Sequence, residues 1–189
     1  DGTYRPGENS ERGAIAAYFY RMAGAPDFTP PVVSPFKDVD PSHPFYREIT
    51  WLASKGITRG WGDGTFRPHE PVSREAMAAF FYRMQGSPQF TAPSTPSFKD
   101  VPTTHPFYKE IEWMKAQGIT TGYSDGTFRP SAPVNRDAMA AFFYRAAGSP
   151  HVDLPATSHF SDVSTDNQFY REITWLASKG IRTGWPDGT

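Results

Sequence analysis

The sequence predicts a mainly helical protein built from three equivalent helix–loop–helix units, and three observations carry that prediction. Asp-Gly-Thr recurs at 1–3, 63–65, 125–127 and 187–189, always 62 residues apart. Each period holds two apolar stripes at helical spacing, with turn-rich sequence between them. The 189 residues amount to three periods plus one further Asp-Gly-Thr, and fixed-period self-similarity marks a repeat array.

The first helix of a period follows His43-Pro44, where proline suits the first turn. Phe45, Ile49, Leu52 and Ala53 form its stripe, and Gly56 is the expected stop. The second helix begins at Ser73, a good N-cap, with Glu75 in the first turn at the positive end of the helix dipole. Its stripe is Met77, Phe80, Phe81 and Met84, and Gly86 ends it. Asn135 takes the cap position in the next copy, and Glu11 departs from the pattern in the first. Between the helices runs Asp-Gly-Thr-Phe-Arg-Pro. Asp-Gly makes the turn, and Thr65, Phe66 and Arg67 are expected to run extended before Pro68. Segments rich in Pro, Ser and Thr read as semi-rigid spacers. The chain thus divides into the second half of a unit at 1–26, a linker at 27–35, a unit at 36–86, a linker at 87–97, a unit at 98–148, a linker at 149–159 and a first half at 160–189. A two-helix unit is too small to bury both stripes alone, so neighbouring units must stack or bundle.

Composition narrows the function. There are 19 basic and 20 acidic side chains, a net charge of −1, so no basic excess exists to neutralise a phosphate backbone. No apolar run approaches the roughly 20 residues of a membrane helix. With 15% aromatics the chain can bury a core despite 19 prolines. No cysteine means no disulfide and no thiolate metal site. Asp1 falls inside a repeat, which reads as a piece of a longer chain.

Catalysis has no constellation. Glu48, Glu110 and Glu172 repeat without a partner acid, and there is no nucleophile elbow or glycine-rich phosphate loop. The five histidines, His43, His69, His105, His151 and His159, lack metal-ligand spacing, so helix capping or exposure is their expected role. Asp63, Asp125 and Asp187 each precede a single glycine. That is turn chemistry rather than an alternating set of calcium ligands, although such an aspartate can also bind a sugar hydroxyl.

Several landmarks recur in fixed order: Phe-x-Asp-Val at 36–39, 98–101 and 160–163; Gly-Ile-Thr-x-Gly at 56–60 and 118–122; and Asp-Gly-Thr-Phe-Arg-Pro. With the box Ser73-Arg74-Glu75-Ala76 they resemble the S-layer homology family of bacterial cell-surface proteins. The box reads Asn135-Arg136-Asp137-Ala138 in the next copy and Glu11-Arg12-Gly13-Ala14 in the first, keeping only the arginine and the alanine. The resemblance implies an extracellular, non-catalytic anchor without a cofactor, residing in the cell wall or S-layer of a bacterium. It further implies a three-pronged pseudo-trimer, with one helix of each unit in a central three-helix bundle. Grooves between the prongs would hold a pyruvylated secondary cell-wall polysaccharide linked to peptidoglycan.

The residues suit that chemistry. A guanidinium offers a planar fork for a ketal carboxylate, and a helix N-terminus offers backbone N–H groups. The candidate ligand residues are therefore Arg74 and Arg136, with Arg12 weaker because Gly13 replaces its acidic neighbour. Trp61, Tyr123 and Trp185 form a loop column that would flank the sugar, Gly60 and Gly122 would permit close approach, and Asp63 and Asp125 stand beside them. A second tryptophan column, Trp51, Trp113 and Trp175, lies off the apolar stripe and reads as interface packing.

Two readings from other classes stand beside the anchor. If the chain closes, 160–189 packs beside 1–24 and completes the third unit, bringing Thr189 near Asp1. If it does not, the end half-repeats pair between molecules and the chain is a self-assembly module of a surface lattice. A third reading has the repeats appended to an enzyme or adhesin.

Overall fold

The computed structural model describes residues 2–181. Among them are six helices and no strands: α1 (Arg12–Met22), α2 (Tyr46–Ser54), α3 (Arg74–Met84), α4 (Tyr108–Ala116), α5 (Arg136–Ala146) and α6 (Tyr170–Ser178). The mainly helical reading holds.

The odd-numbered helices are buried on nearly every side. Seven of the eleven residues of α3 are inaccessible, from Arg74 and Met77 to Tyr82. Phe19, Phe81 and Phe143, one from each of α1, α3 and α5, meet with ring centroids 4.9, 4.9 and 5.0 Å apart. Each of these rings is at most 1% exposed. Burying a phenylalanine contributes about 1.5–3 kcal/mol, so this cluster binds the three helices more firmly than a one-sided stripe would. The α2 and α6 helices follow the stripe pattern more closely: Ile49 and Leu52 are fully buried, while Phe45 and Ala53 pack at the edge of the core.

Just ahead of these helices stands a ring of single bridges, Asn9 with Asn135, Glu11 with Pro71 and Ser73 with Pro133. The backbone bonds close a circle: Val72 N–H donates to Ser10 O at 2.9 Å, Val134 N–H to Val72 O at 3.0 Å and Ser10 N–H to Val134 O at 2.9 Å.

The packed helix pairs are α1 with α2, α3 with α4 and α5 with α6. Each pair joins the second helix of one sequence repeat to the first helix of the next. The proline-rich segments therefore lie across a packed pair, where the sequence reading makes them spacers. Tyrosine hydroxyls pin them at both ends: Tyr20 to Pro26 O and Tyr46 to Pro31 O in the first, Tyr82 to Pro88 O and Tyr108 to Pro93 O in the second, Tyr144 to Pro150 O and Tyr170 to Pro155 O in the third. The tryptophans Trp51, Trp113 and Trp175 are each 4% exposed. They pack edge-on against Tyr20, Tyr82 and Tyr144 at 5.4–5.6 Å, as interface aromatics do. Just before the even-numbered helices, His43, His105 and Asn167 accept the N–H two residues on, a capping-type role.

The two end halves meet within the chain. Ser161 N–H donates to Gly2 O at 3.0 Å. Asp162 accepts from Tyr4 N–H at 2.7 Å and from Arg5 N–H at 2.6 Å. The same bonds occur at Lys37–Gly64 and Asp38, and at Lys99–Gly126 and Asp100. Asp1 and Thr189, which define the closure expectation, lie outside the described residues.

Candidate functional site

Each loop of the form Asp-Gly-Thr-Phe-Arg-Pro is shaped from a distance. In the first, Asp38 holds Phe66 N–H at 2.8 Å and Arg67 N–H at 2.7 Å, one on each carboxylate oxygen. Asp100 does the same for Phe128 and Arg129. This grip explains a departure from the extended run expected at 65–67. Arg67 has φ +59° and Arg129 φ +59°, a left-handed conformation that ordinary residues resist. Two hydrogen bonds to a carboxylate outweigh that strain. The aspartate of Phe-x-Asp-Val is thus the residue that sets the loop, a role the motif alone did not disclose.

Asp63 is committed to the turn itself. Its Oδ1 accepts from Thr65 N–H at 2.9 Å and from the Thr65 hydroxyl at 2.6 Å, and Arg67 reaches its Oδ2 at 3.2 Å. Asp125 is held alike by Thr127 and Arg129. The Thr65 hydroxyl and amide, with Arg67 behind them, hold the Asp63 carboxyl down at about 2, and Asp125 sits at about 2 for the same reasons. Among the described residues no group of three metal-binding side chains occurs. Asp187 lies outside them.

The box arginines reach into these loops. Arg12 Nε donates to Phe66 O at 2.8 Å, Arg74 Nε to Phe128 O at 2.6 Å and Arg136 Nε to Tyr4 O at 2.7 Å. Arg12 is 7% and Arg74 5% exposed. Arg12 lies 4.8 Å over the Phe66 ring and 5.7 Å from Trp61. Arg74 lies 4.8 Å over both Tyr123 and Phe128, and Arg136 5.1 Å over Tyr4. Burial pushes the Arg12 guanidinium down to about 10 and lowers Arg74 as well, yet a group at about 10 remains charged at neutral pH. Neither Arg12 nor Arg74 has a carboxylate within ion-pair distance among the described residues. With Nε fixed on a carbonyl, each keeps its outer nitrogens for another acceptor.

The first two amides of each of these helices are already taken, contrary to the expectation for an anion site. Arg12 and Gly13 N–H already donate to Glu70 O and Pro68 O, Arg74 and Glu75 N–H to Ala132 O and Pro130 O, and Arg136 and Asp137 N–H to Glu8 O and Pro6 O. Ala76 N–H is capped by Ser73 and Ala138 N–H by Asp137. Asn135 stands at the N-cap of α5 without a side-chain cap bond. The loop of a neighbouring copy thus takes the first two amides of each helix, which leaves the guanidinium as the main group offered to an anion.

A groove of about 510 Å³ brings Arg12, Gly60 and Trp61 together with Arg59, Glu75 and Arg83. Arg59 and Arg83 were not among the expected site residues. Nothing in a single Gly-Ile-Thr-x-Gly segment marks its variable residue as functional. Trp61 is 45% exposed, with Arg67 stacked 4.2 Å from its ring. Tyr123 is 38% exposed under Arg129 at 3.8 Å, next to Arg74. Trp185, the third residue of the loop column expected to flank the sugar, lies outside the described residues. Gly60 has φ +64°, and a Cβ there would fall 2.6 Å from both Phe36 Cε1 and Thr65 O. Gly122 is placed likewise against Phe98. The close approach that demands glycine is therefore that of the protein's own phenylalanine.

The model of the S-layer homology domain matches residues 35–78, 97–140 and 159–189. The chain is 30% identical over 77% of its length to cell surface glycoprotein 1 of Acetivibrio thermocellus, covering 7% of that protein. It is 28% identical over 91% of its length to the cellulosome-anchoring protein of the same organism, covering 39% of it. It is 29% identical over 59% of its length to S-layer protein EA1 of Bacillus anthracis, covering 13% of it. The chain thus spans well under half of each of these relatives.

Proposed function

The chain belongs to the S-layer homology family and is a cell-surface module; on that premise we propose that it is a non-catalytic anchor binding an acidic cell-wall polysaccharide linked to peptidoglycan. In this reading Arg12, Arg74 and Arg136 receive carboxylates of the polymer, such as those of pyruvate ketals. The observation that carries it is Arg12: a residue 7% exposed, tied through Nε to a carbonyl, lining a groove of about 510 Å³, with no carboxylate within ion-pair distance among the described residues. Glu70 and Asp38 act on Arg12 only from beyond contact distance, a buried charge without a contact partner is costly, and a ligand carboxylate across the remaining N–H groups would offset that cost. Trp61 offers a partly exposed ring at the groove wall for sugar contact, and Tyr123 a partly exposed ring beside Arg74. Arg12, which the change to Gly13 made the weaker candidate, thereby becomes the best supported of the three. The cellulosome-anchoring relative adds that a protein similar over 91% of this chain serves as an anchor.

The test is sedimentation with purified cell-wall sacculi. Arg12→Lys keeps the charge and loses the fork, so binding falls about tenfold, and combining it with Arg74→Lys and Arg136→Lys lowers it further. Retained binding by the folded triple variant removes the arginines from the mechanism. Titration with a pyruvylated disaccharide against its unmodified parent identifies the acidic group.

A further inference from the structure

The arginine sites differ in charge at two positions: an acid at Glu70 gives way to Ala132, and a cation at Arg59 gives way to Thr121. Shifting the lining of the first groove by one period keeps two cations, Arg12 becoming Arg74 and Arg83 becoming Arg145, but turns Arg59 into Thr121. Arg59 is exposed and has no ion pair among the described residues. Of the carboxylates that line the groove, Glu70 lies 3.8 Å from Arg67 and Glu75 lies 3.4 Å from the ring of His105. Arg83 is fixed by Nη1 on Ile57 O at 3.1 Å. Its guanidinium is pushed down by burial and then by the charge of Arg59, with Glu110 opposing. Two guanidiniums close enough to repel thus line the same groove as Arg12, and among the described residues no carboxylate forms an ion pair with either. Such a pair is relieved when an anion comes between its members.

We propose that Arg59 makes the first groove a two-point receptor: one acidic group of the saccharide pairs with Arg12, and a second, on a neighbouring sugar, pairs with Arg59 and Arg83. The place around Arg74, with Thr121 in that position, accepts one acidic group. This rests on the arginine-receptor reading above and adds to it the charge pattern of the ligand.

The experiment titrates the full chain, Arg59→Thr and Thr121→Arg with a disaccharide bearing one pyruvate ketal and a tetrasaccharide bearing two. Arg59 is exposed, so its replacement leaves the fold in place, and circular dichroism verifies this. The parent chain favours the tetrasaccharide by about fivefold, the reach of one partly exposed ion pair. Arg59→Thr loses that preference while its disaccharide affinity stays within about twofold, and raising the salt erodes the preference in the parent. Thr121→Arg raises the number of sites that prefer the tetrasaccharide. If Arg59→Thr keeps the full preference, the two-point receptor is overturned and the arginine reading survives. If the parent chain does not bind the disaccharide at all, both fall together.

Discussion

Replacing Asp100 by alanine removes two hydrogen bonds at once, those from Phe128 N–H at 2.8 Å and Arg129 N–H at 2.7 Å. A net hydrogen bond to a charged acceptor contributes about 1.5–3 kcal/mol. Phe128 is fully buried and Arg129 exposed, so water can replace the second partner more readily than the first. The expected loss is therefore about 2–4 kcal/mol rather than the full sum of the two. Arg129 at φ +59° is also freed from the contact that keeps it left-handed. For a chain of this size each kcal/mol moves Tm by about 2–4 °C, so Asp100→Ala lowers it by about 5–15 °C. Asp100→Asn keeps one acceptor oxygen and falls about halfway. Scanning calorimetry measures both. Asp162→Ala provides a spatial control, because its partners are Tyr4 and Arg5. Limited proteolysis then cuts near the N-terminus first, whereas Asp100→Ala exposes the loop at 125–130. A Tm shift of Asp100→Ala below about 1 °C would refute the claim that the carboxylate sets the turn.

Gly60→Ala places a Cβ on Phe36 and Thr65 O at a φ of +64°. The conformation alone costs about 1–2 kcal/mol and the overlap adds to it, so the denaturation midpoint drops clearly, while Gly62→Ala, with open space around it, leaves it almost unchanged. For acid, Asp63 and Asp125 have folded values of about 2 against an ordinary 3.8. Their stabilisation is fully present above about pH 4 and is lost as the pH falls through about 2. Trp61 fluorescence and the thermal midpoint follow this loss, and an Asp63→Asn plus Asp125→Asn chain shows a flatter pH profile in that window; an unchanged profile would exclude these two groups as the cause.

Much of this architecture could be read along the chain, because helices are local. The stripe of Ile49 and Leu52 and the cap at Ser73 involve residues within a few positions of each other, and period 62 multiplied the signal. The box arginines stood out by persisting while their neighbours changed. What escaped depends on partners far away in sequence. Arg67 bends into the left-handed region because of a carboxylate 29 residues earlier. The helix N-terminal amides of Arg12 and Gly13 look free until the carbonyls of Glu70 and Pro68 arrive from the loop of the next copy. Proline-rich segments look like spacers until tyrosines on the two flanking helices take their carbonyls.

The same separation decides what a functional unit is. Arg12 and the Phe66 carbonyl that orients it are 54 residues apart, as are Arg74 and Phe128. The box of one copy therefore completes the loop of the next, and the wall facing Arg12 comes from α3, one further helix pair along. A groove draws on at least two consecutive copies, whereas a single sequence repeat supplies an arginine to one site and a loop aromatic to another. It follows that the sites cannot be varied one repeat at a time. Exchanging the loop at 56–68 for its counterpart at 118–130 alters the environment of Arg12 and leaves that of Arg74 intact, although Arg74 follows the exchanged loop by only a few residues. Arg59 and Thr121 differ while both boxes keep their arginine, so the two sites share an anchoring group and differ in what stands beside it.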